Sequence, residues 1–262
     1  MMNRHLLYFC LLAIFTMACD NIEREDRLIF EKPQPAQRVV LLEDFTGQRC
    51  VNCPKATDVI EQLLQEYGEE ALVAVAIHGG PLGFNGSATI TGLATEVGNE
   101  YYDYWNLEFQ PVGLVDRSSP KTYPEWAVAV REELAKPTSL SLNGEAKLEG
   151  DNISISIYAY GTDGNTSGRL QLWLLEDEIV AQQVMPDGTL NHEYIHNHVL
   201  RVPINGSWGE TFAIKENVSQ EYQYSLPLNP LWRTDHLSVV AFVYDDSGVK
   251  QTIKIRVRQI LQ

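Results

Sequence analysis

The chain has 262 residues, 44% hydrophobic and 10% aromatic, enough to build one large core or two of medium size. Its formal net charge is −15 with no basic patch to offset it, which excludes nucleic acid and argues against anionic lipid heads as partners. Four cysteines are too few for a secreted disulfide scaffold.

The N-terminal segment 1–18 reads as an export signal. Arg4 and His5 precede an apolar run from Leu6 to Met17, too short for a stable bilayer span of roughly 20 residues but of the length of a signal-peptide core. The run ends in "FTMAC", and a small residue directly before a cysteine resembles the lipobox of exported lipoproteins, with Thr16 where a leucine is most common. On that reading Cys19 becomes the lipidated first residue of the mature chain; the alternative is an ordinary signal peptide that happens to contain a cysteine. Each acyl methylene buried in the bilayer contributes roughly 0.8 kcal/mol, so the chain is expected to be anchored, not spanning. Residues 19–37, charged and ending in "PQPAQ", read as a tether.

Beyond the tether, "RVVLLEDF" (Arg38 to Phe45) has the length and apolarity of a buried strand. Pro54 to Tyr67 places Val59, Ile60, Leu63, Leu64 and Tyr67 on one helical stripe, closed by Gly68. "ALVAVAI" is a second buried strand, and the Gly-rich "HGGPLGFNGSATITG" leads into a predicted helix from Leu93 to Trp105. Its glycines suit a shaped insert better than a phosphate loop, since the lysine such a loop needs is missing. "PVGLVD" (Pro111 to Asp116) is a third strand, and Pro124 to Lys136 an amphipathic helix carrying Trp126, Val130 and Leu134. This alternation predicts an α/β domain over 38–136. At Lys136-Pro137 the texture changes to short β-branched and aromatic runs between Gly, Asn and Asp clusters, among them "ISISIYAY", "RLQLWLL" and "HLSVVAFVY". An all-β antiparallel sandwich over 137–262 is the expectation.

With Cys10 in the signal and Cys19 carrying lipid, Cys50 and Cys53 of "FTGQRCVNCPKA" are the remaining thiols, in a disulfide-permissive compartment. Behind a strand and at the start of a helix, they sit where free N–H groups and the helix dipole favour a thiolate. Cys50 is the expected exposed nucleophile and Cys53, one turn in, its resolving partner. Pro54 is tolerated, because first-turn amides have no intrahelical acceptor.

"EDFTGQRCVNC" resembles the thioredoxin superfamily, whose members order a strand, Asp-Phe, a short loop and CxxC in this way. The resemblance implies that Asp44 is a buried acid taking a proton from Cys53, and that Pro111 is a cis-proline packing across the CxxC. Two departures stand out. The interval from Cys53 to Pro111 is long, implying a helical insert around 79–105, and Arg49 occupies the position where a tryptophan commonly precedes the first cysteine. Over nearly the whole chain, the lipobox, "EDFTG…CxNCP", "PVGLVDR" and "HNHVLR…NGSWGE" are similar to the 28-kDa outer-membrane lipoprotein family of Bacteroides-type bacteria. That resemblance implies a thioredoxin-like domain followed by a β-domain, and an outer-membrane, lipid-anchored location facing the periplasm or the cell surface. The acidic run after Cys19 (Asp20, Glu23, Glu25, Asp26) looks like a surface-export signal.

Two rival readings of the cysteines stay open. A structural zinc needs four ligands, so two histidines drawn from His78, His192, His196 and His198 would have to join Cys50 and Cys53; the His192, His196 and His198 cluster could also bind a metal alone, against a solvated strand edge. An inert staple is the other; its tiny loop adds little through chain entropy. Trp208 and Trp232 are read as packing residues ahead of sugar platforms. The expected function is thiol–disulfide exchange on exported protein clients, carried by Cys50, Cys53, Asp44 and Pro111, with no cofactor and no metal. The alternative is a surface binding or adhesion lipoprotein, meeting a cell-surface partner, in which the N-terminal domain is a scaffold.

Overall fold

The computed structural model describes residues 36–259; the expected signal peptide, Cys19 and all but the last two residues of the tether lie outside the described residues. Val40–Thr46 forms β1, buried along its whole length. α1 (Cys53–Tyr67) buries Ala56, Ile60 and Leu63. Gly68, at φ 77°, ends it by donating its N–H to the Leu64 carbonyl at 3.0 Å. β2 (Leu72–His78) lies parallel to β1, pairing Val40 with Leu72 through to Thr46 with His78. α2 (Glu96–Tyr104), shorter than its predicted span, is capped by the Thr95 hydroxyl. β3 (Val112–Val115) pairs antiparallel with β1, and α3 (Trp126–Leu134) follows a short 3-10 turn.

Ten further strands follow Lys136-Pro137: β4 (Leu140–Glu149), β5 (Asn152–Gly161), β6 (Thr166–Glu176), β7 (Ile179–Val184), β8 (Leu190–His196), β9 (Val199–Pro203), β10 (Glu210–Ile214), β11 (Ser219–Pro227), β12 (Leu237–Asp245) and β13 (Gly248–Gln259). Eleven of the strands form one mixed sheet in the order β11-β5-β4-β13-β12-β6-β9-β2-β1-β3, with β10 on β6, while β7 and β8 form a separate hairpin.

This corrects the expected fold class. The thioredoxin-like α/β domain followed by an all-β antiparallel sandwich is overturned, because β1, β2 and β3 extend a predominantly β, mixed sheet whose other strands come from the C-terminal half. The reason is the two-sided apolarity of β6 and β12. Trp173, Leu175, Val240 and Phe242 on one face share a core with Leu41, Phe45, Val73, Val75 and Ile77. Leu170, Leu172, Leu174, Val239, Ala241 and Val243 on the other face meet Ile153, Ile155 and Ile157 of β5. Strands buried on both faces read as continuous apolar runs, and a run of that kind does not announce which layer covers which side. β13 makes the corner: it pairs antiparallel with β12, then its end (Val257–Gln259) runs parallel to β4. The start of the described chain is tied into the same core. Arg38 pairs with Asp116 at 2.6 Å and donates to the carbonyls of Val249 and Lys250. The remaining face of β1 and β2 packs against Ala56, Ile60 and Leu63 of α1 and Trp126 and Val130 of α3.

Candidate functional site

Alternation along β1 sends Asp44 and Thr46 to the face that α1 covers, beside Leu42 and Val40. The chain then turns sharply. Cys50 donates its N–H to the Gly47 carbonyl at 3.0 Å, and the Cys53 N–H reaches the Cys50 carbonyl at 3.4 Å. Cys50 and Cys53 are joined in a disulfide, with S–S 2.11 Å and Cα–Cα 5.4 Å.

Two expectations for this pair change. α1 begins at Cys53, with Asn52 as its N-cap, so Cys50 lies in the turn before the helix. Nor is Cys50 exposed: its residue is 1% accessible and Cys53 2%. The β7–β8 hairpin lies against the turn that carries them. Gln183 of β7 donates its side-chain amide to the Cys50 carbonyl at 3.0 Å, and the Val184 N–H donates to the Gln48 carbonyl at 2.9 Å. Gln48 replies through its own amide, donating to the carbonyls of Gln182 (2.9 Å) and Thr91 (3.1 Å) and accepting from the Leu93 N–H at 2.8 Å. Gln48 and Gln183 therefore hold the cysteine turn, the hairpin and the glycine-rich insert together. Nothing in the sequence marked either glutamine, since their role depends on partners up to 136 residues away.

Behind the disulfide lies a cavity of about 30 Å³, lined by Asp44, Thr46, Cys53, Ala76, His78 and His196 among others. Asp44 is fully buried and its Oδ1 has no hydrogen-bond partner. Burial alone pushes its carboxyl up to about 8, because removing a carboxylate from water disfavours the charged form. His78 ends β2 on the same sheet face. Its backbone carbonyl accepts from the Thr95 N–H at 3.2 Å, and Gly98 of α2 lies so close that a Cβ there would come within 2.2 Å of that oxygen. His196 reaches in from β8, its ring centroid 5.3 Å from that of His78 in an edge-to-face arrangement. Both imidazoles are held below the ordinary histidine range. Burial is the main cause for each, to about 4 for His196, and the neighbouring His196 and Arg201 charges add to it for His78.

Most of the other candidates do not join this group. Pro111, preceded by a cis peptide bond, is buried but does not line the cavity. Its neighbour Gln110 ties β1 to β2 by donating to the carbonyls of Thr46 (2.7 Å) and Gly79 (3.0 Å). The histidine cluster divides: His192 is exposed, while His196, facing His78, and His198, paired with Asp177 at 3.2 Å, both line the cavity. Among the described residues no three His, Cys, Asp or Glu side chains are placed to hold a metal ion together. Arg49 is exposed with its guanidinium 5.0 Å over the Phe84 ring. Trp208 packs on Tyr104 and donates to Glu100, and Trp232 packs against the core that β5, β6 and β12 share.

The fold is similar to that of "HBP35 of Porphyromonas gingivalis", with a TM-score of 0.64 over 87% of this chain and 80% of that one at 14% identity. A domain of the outer membrane lipoprotein Omp28 from Porphyromonas gingivalis is 25% identical over 47% of this chain and 92% of its own, with a TM-score of 0.36. No curated protein matches the sequence significantly. No helix among the described residues is long and apolar enough to cross a membrane. The profile of the family described as outer membrane protein Omp28 matches residues 98–260, more than half of the chain. This chain belongs to the Omp28 family of outer-membrane proteins, and the outer membrane is its location.

Proposed function

We propose that this outer-membrane protein carries out thiol–disulfide exchange on exported proteins through Cys50 and Cys53. The observation that carries the reading is the setting of Asp44. A buried, unpartnered carboxyl that ionises at about 8 beside the cavity wall formed by Cys53 is matched to a thiol, whose ordinary pKa is near 8.5. Such a group takes a proton from the resolving cysteine at little cost. Perturbed carboxyls of this kind gather at functional sites. Cys50 attacks the client, Cys53 resolves and Asp44 accepts the proton. For a client to reach Cys50, the β7–β8 hairpin has to shift, since Gln183 binds the Cys50 carbonyl.

The deep burial of both sulfurs favours a second reading, in which the disulfide is static and the chain serves as a binding or adhesion protein for a surface partner. Equilibrating the folded protein with glutathione buffers separates the two. An exchanging pair is expected to have a reduction potential between roughly −120 and −270 mV. A value below about −300 mV, the range of structural disulfides, establishes the static staple.

Anchoring is proposed through Cys19. Cys19→Ala is expected to leave the protein unprocessed or released from the membrane fraction. Metabolic labelling with a fatty-acid analogue checks this, and a mature wild-type protein without label removes the anchor.

A further inference from the structure

We propose that His78 and His196 form a proton relay that carries the proton between Asp44, behind the disulfide, and solvent. The inference rests on the exchange reaction above and adds two residues to it. Asp44 Oδ1, His78 Nδ1 and His196 Nε2 are all buried, and none has a hydrogen-bond partner in the protein. Leaving a buried polar atom unpaired destabilises the fold, so three around one small space are not a neutral packing outcome. The cavity they share, about 30 Å³, has room for one or two waters, each able to bridge two to four polar groups. The register of β1 and β2 sets Thr46 opposite His78 and Asp44 opposite Ala76. Asp44 and His78 therefore stand on one sheet face, two residues apart along the strands.

Imidazole suits the task because its neutral form has one nitrogen that donates and one that accepts, so a proton enters at one and leaves from the other. Both rings are kept neutral by burial, and the proximity of His196 and Arg201 opposes a lasting positive charge on His78. They pass a proton on without keeping it. The other ionisable groups on the walls are Tyr194 on β8, His198 just beyond it and Glu61 on α1, which is exposed and marks the outlet.

The chemistry balances without another reactant. In the reduced protein the Cys50 thiolate attacks one sulfur of a disulfide, whose S–S bond breaks and releases the first thiolate. Cys53 gives its thiol proton to the Asp44 carboxylate, and its sulfur then attacks Cys50. The bond from Cys50 to the probe breaks, a second thiolate leaves, the pair is oxidised by two electrons and the probe is reduced by two. Because Asp44 holds a proton below about pH 8, that proton must first pass through cavity water, His78 and His196 to solvent before the carboxylate can take the one from Cys53, so the relay acts ahead of the second thiolate's release.

Rapid mixing of the reduced full-length protein with dithiobis(nitrobenzoate) tests this, because each released thiolate is coloured. Wild type is expected to release two equivalents in two phases, attack and then resolution. His196→Asn, and independently His78→Asn, are expected to slow only the second phase, roughly a hundredfold at neutral pH. Its rate in the variants should then rise about tenfold per pH unit, as hydroxide replaces the relay. If wild type releases nothing, the exchange reading fails and the relay falls with it. If both phases keep their wild-type rates in both variants, exchange stands and the relay is overturned. Equal slowing of both phases marks a structural role for the histidines and overturns the relay as well.

Discussion

Asp44→Asn is expected to make the protein more stable at pH 8 and, under the proposed exchange, slower in disulfide resolution. The carboxyl of Asp44 is pushed from an ordinary 3.8 to about 8 by burial. The folded state therefore keeps this proton over a pH range in which the unfolded chain has lost it. Stability contributed through this group is fully present below about pH 4, falls as pH rises through the interval, and is lost once pH passes about 8. A tenfold change in acidity corresponds to about 1.4 kcal/mol, so a neutral amide avoids roughly 5 kcal/mol of cost at pH 8. An unpaired buried amide returns about 1–3 kcal/mol of that. The net gain is about 2–4 kcal/mol, or a rise of roughly 5–10 °C in Tm. Asp116, pushed up to about 6 by burial against the pull of Arg38, gives wild type and variant the same slope below that pH. Asp177, whose carboxyl is held low by His198 and Lys254 despite its burial, has the opposite sign and loses its contribution as pH falls below the ordinary aspartate range. The difference between the two proteins isolates Asp44. Thermal unfolding from pH 4 to pH 9 reads it, and parallel curves for the two proteins would show that Asp44 is charged throughout. The same variant cannot take the proton of Cys53, so its resolution phase should slow most near neutral pH. A gain in stability with a loss of rate is the mark of a group retained for chemistry.

The two cysteine variants should behave differently from one another in cells. Cys53→Ser leaves Cys50 able to attack a client but unable to be released, so mixed disulfides with exported proteins accumulate. Cys50→Ser removes the attacking sulfur, and no such adducts form. Both lose the same disulfide, whose four-residue loop adds little by chain entropy. Their stabilities therefore fall together, and only the chemistry separates them. Non-reducing gels of cells carrying each variant report the outcome. Adducts confined to Cys53→Ser support exchange with Cys50 outermost. Equal, adduct-free patterns support the static disulfide and the binding protein, in keeping with the burial of both sulfurs.

Local patterning by itself determined several elements of this protein. The helical stripe of Val59, Ile60, Leu63, Leu64 and Tyr67 up to the Gly68 stop, the buried runs of β1 and β2, and the change to short β-branched strands after Pro137 follow from periodicity and turn chemistry, which act within a few residues. The spacing of Cys50 and Cys53 was legible in the same way, whereas Asp44 stood out only through the resemblance to thioredoxins. Only the tertiary structure decided how the halves combine. A run such as "LQLWLL" is apolar on both faces, so the sequence permits either a closed sandwich or a sheet shared with β1 and β2. The choice fell to the fit of Trp173 and Phe242 against Phe45 and Ile77. Tertiary structure also placed the hairpin against the disulfide, through a contact between Gln183 and Cys50 across 133 residues that no local signal carries. His78 and His196 were each visible as histidines, but their meeting behind the cysteines depends on the strand register of β2 and the path of β8. Local propensity acts along the chain, whereas burial is decided by what arrives from elsewhere in it. The strongly patterned elements were therefore readable in advance, whereas β4, the β7–β8 hairpin, β10 and the enclosed site were not.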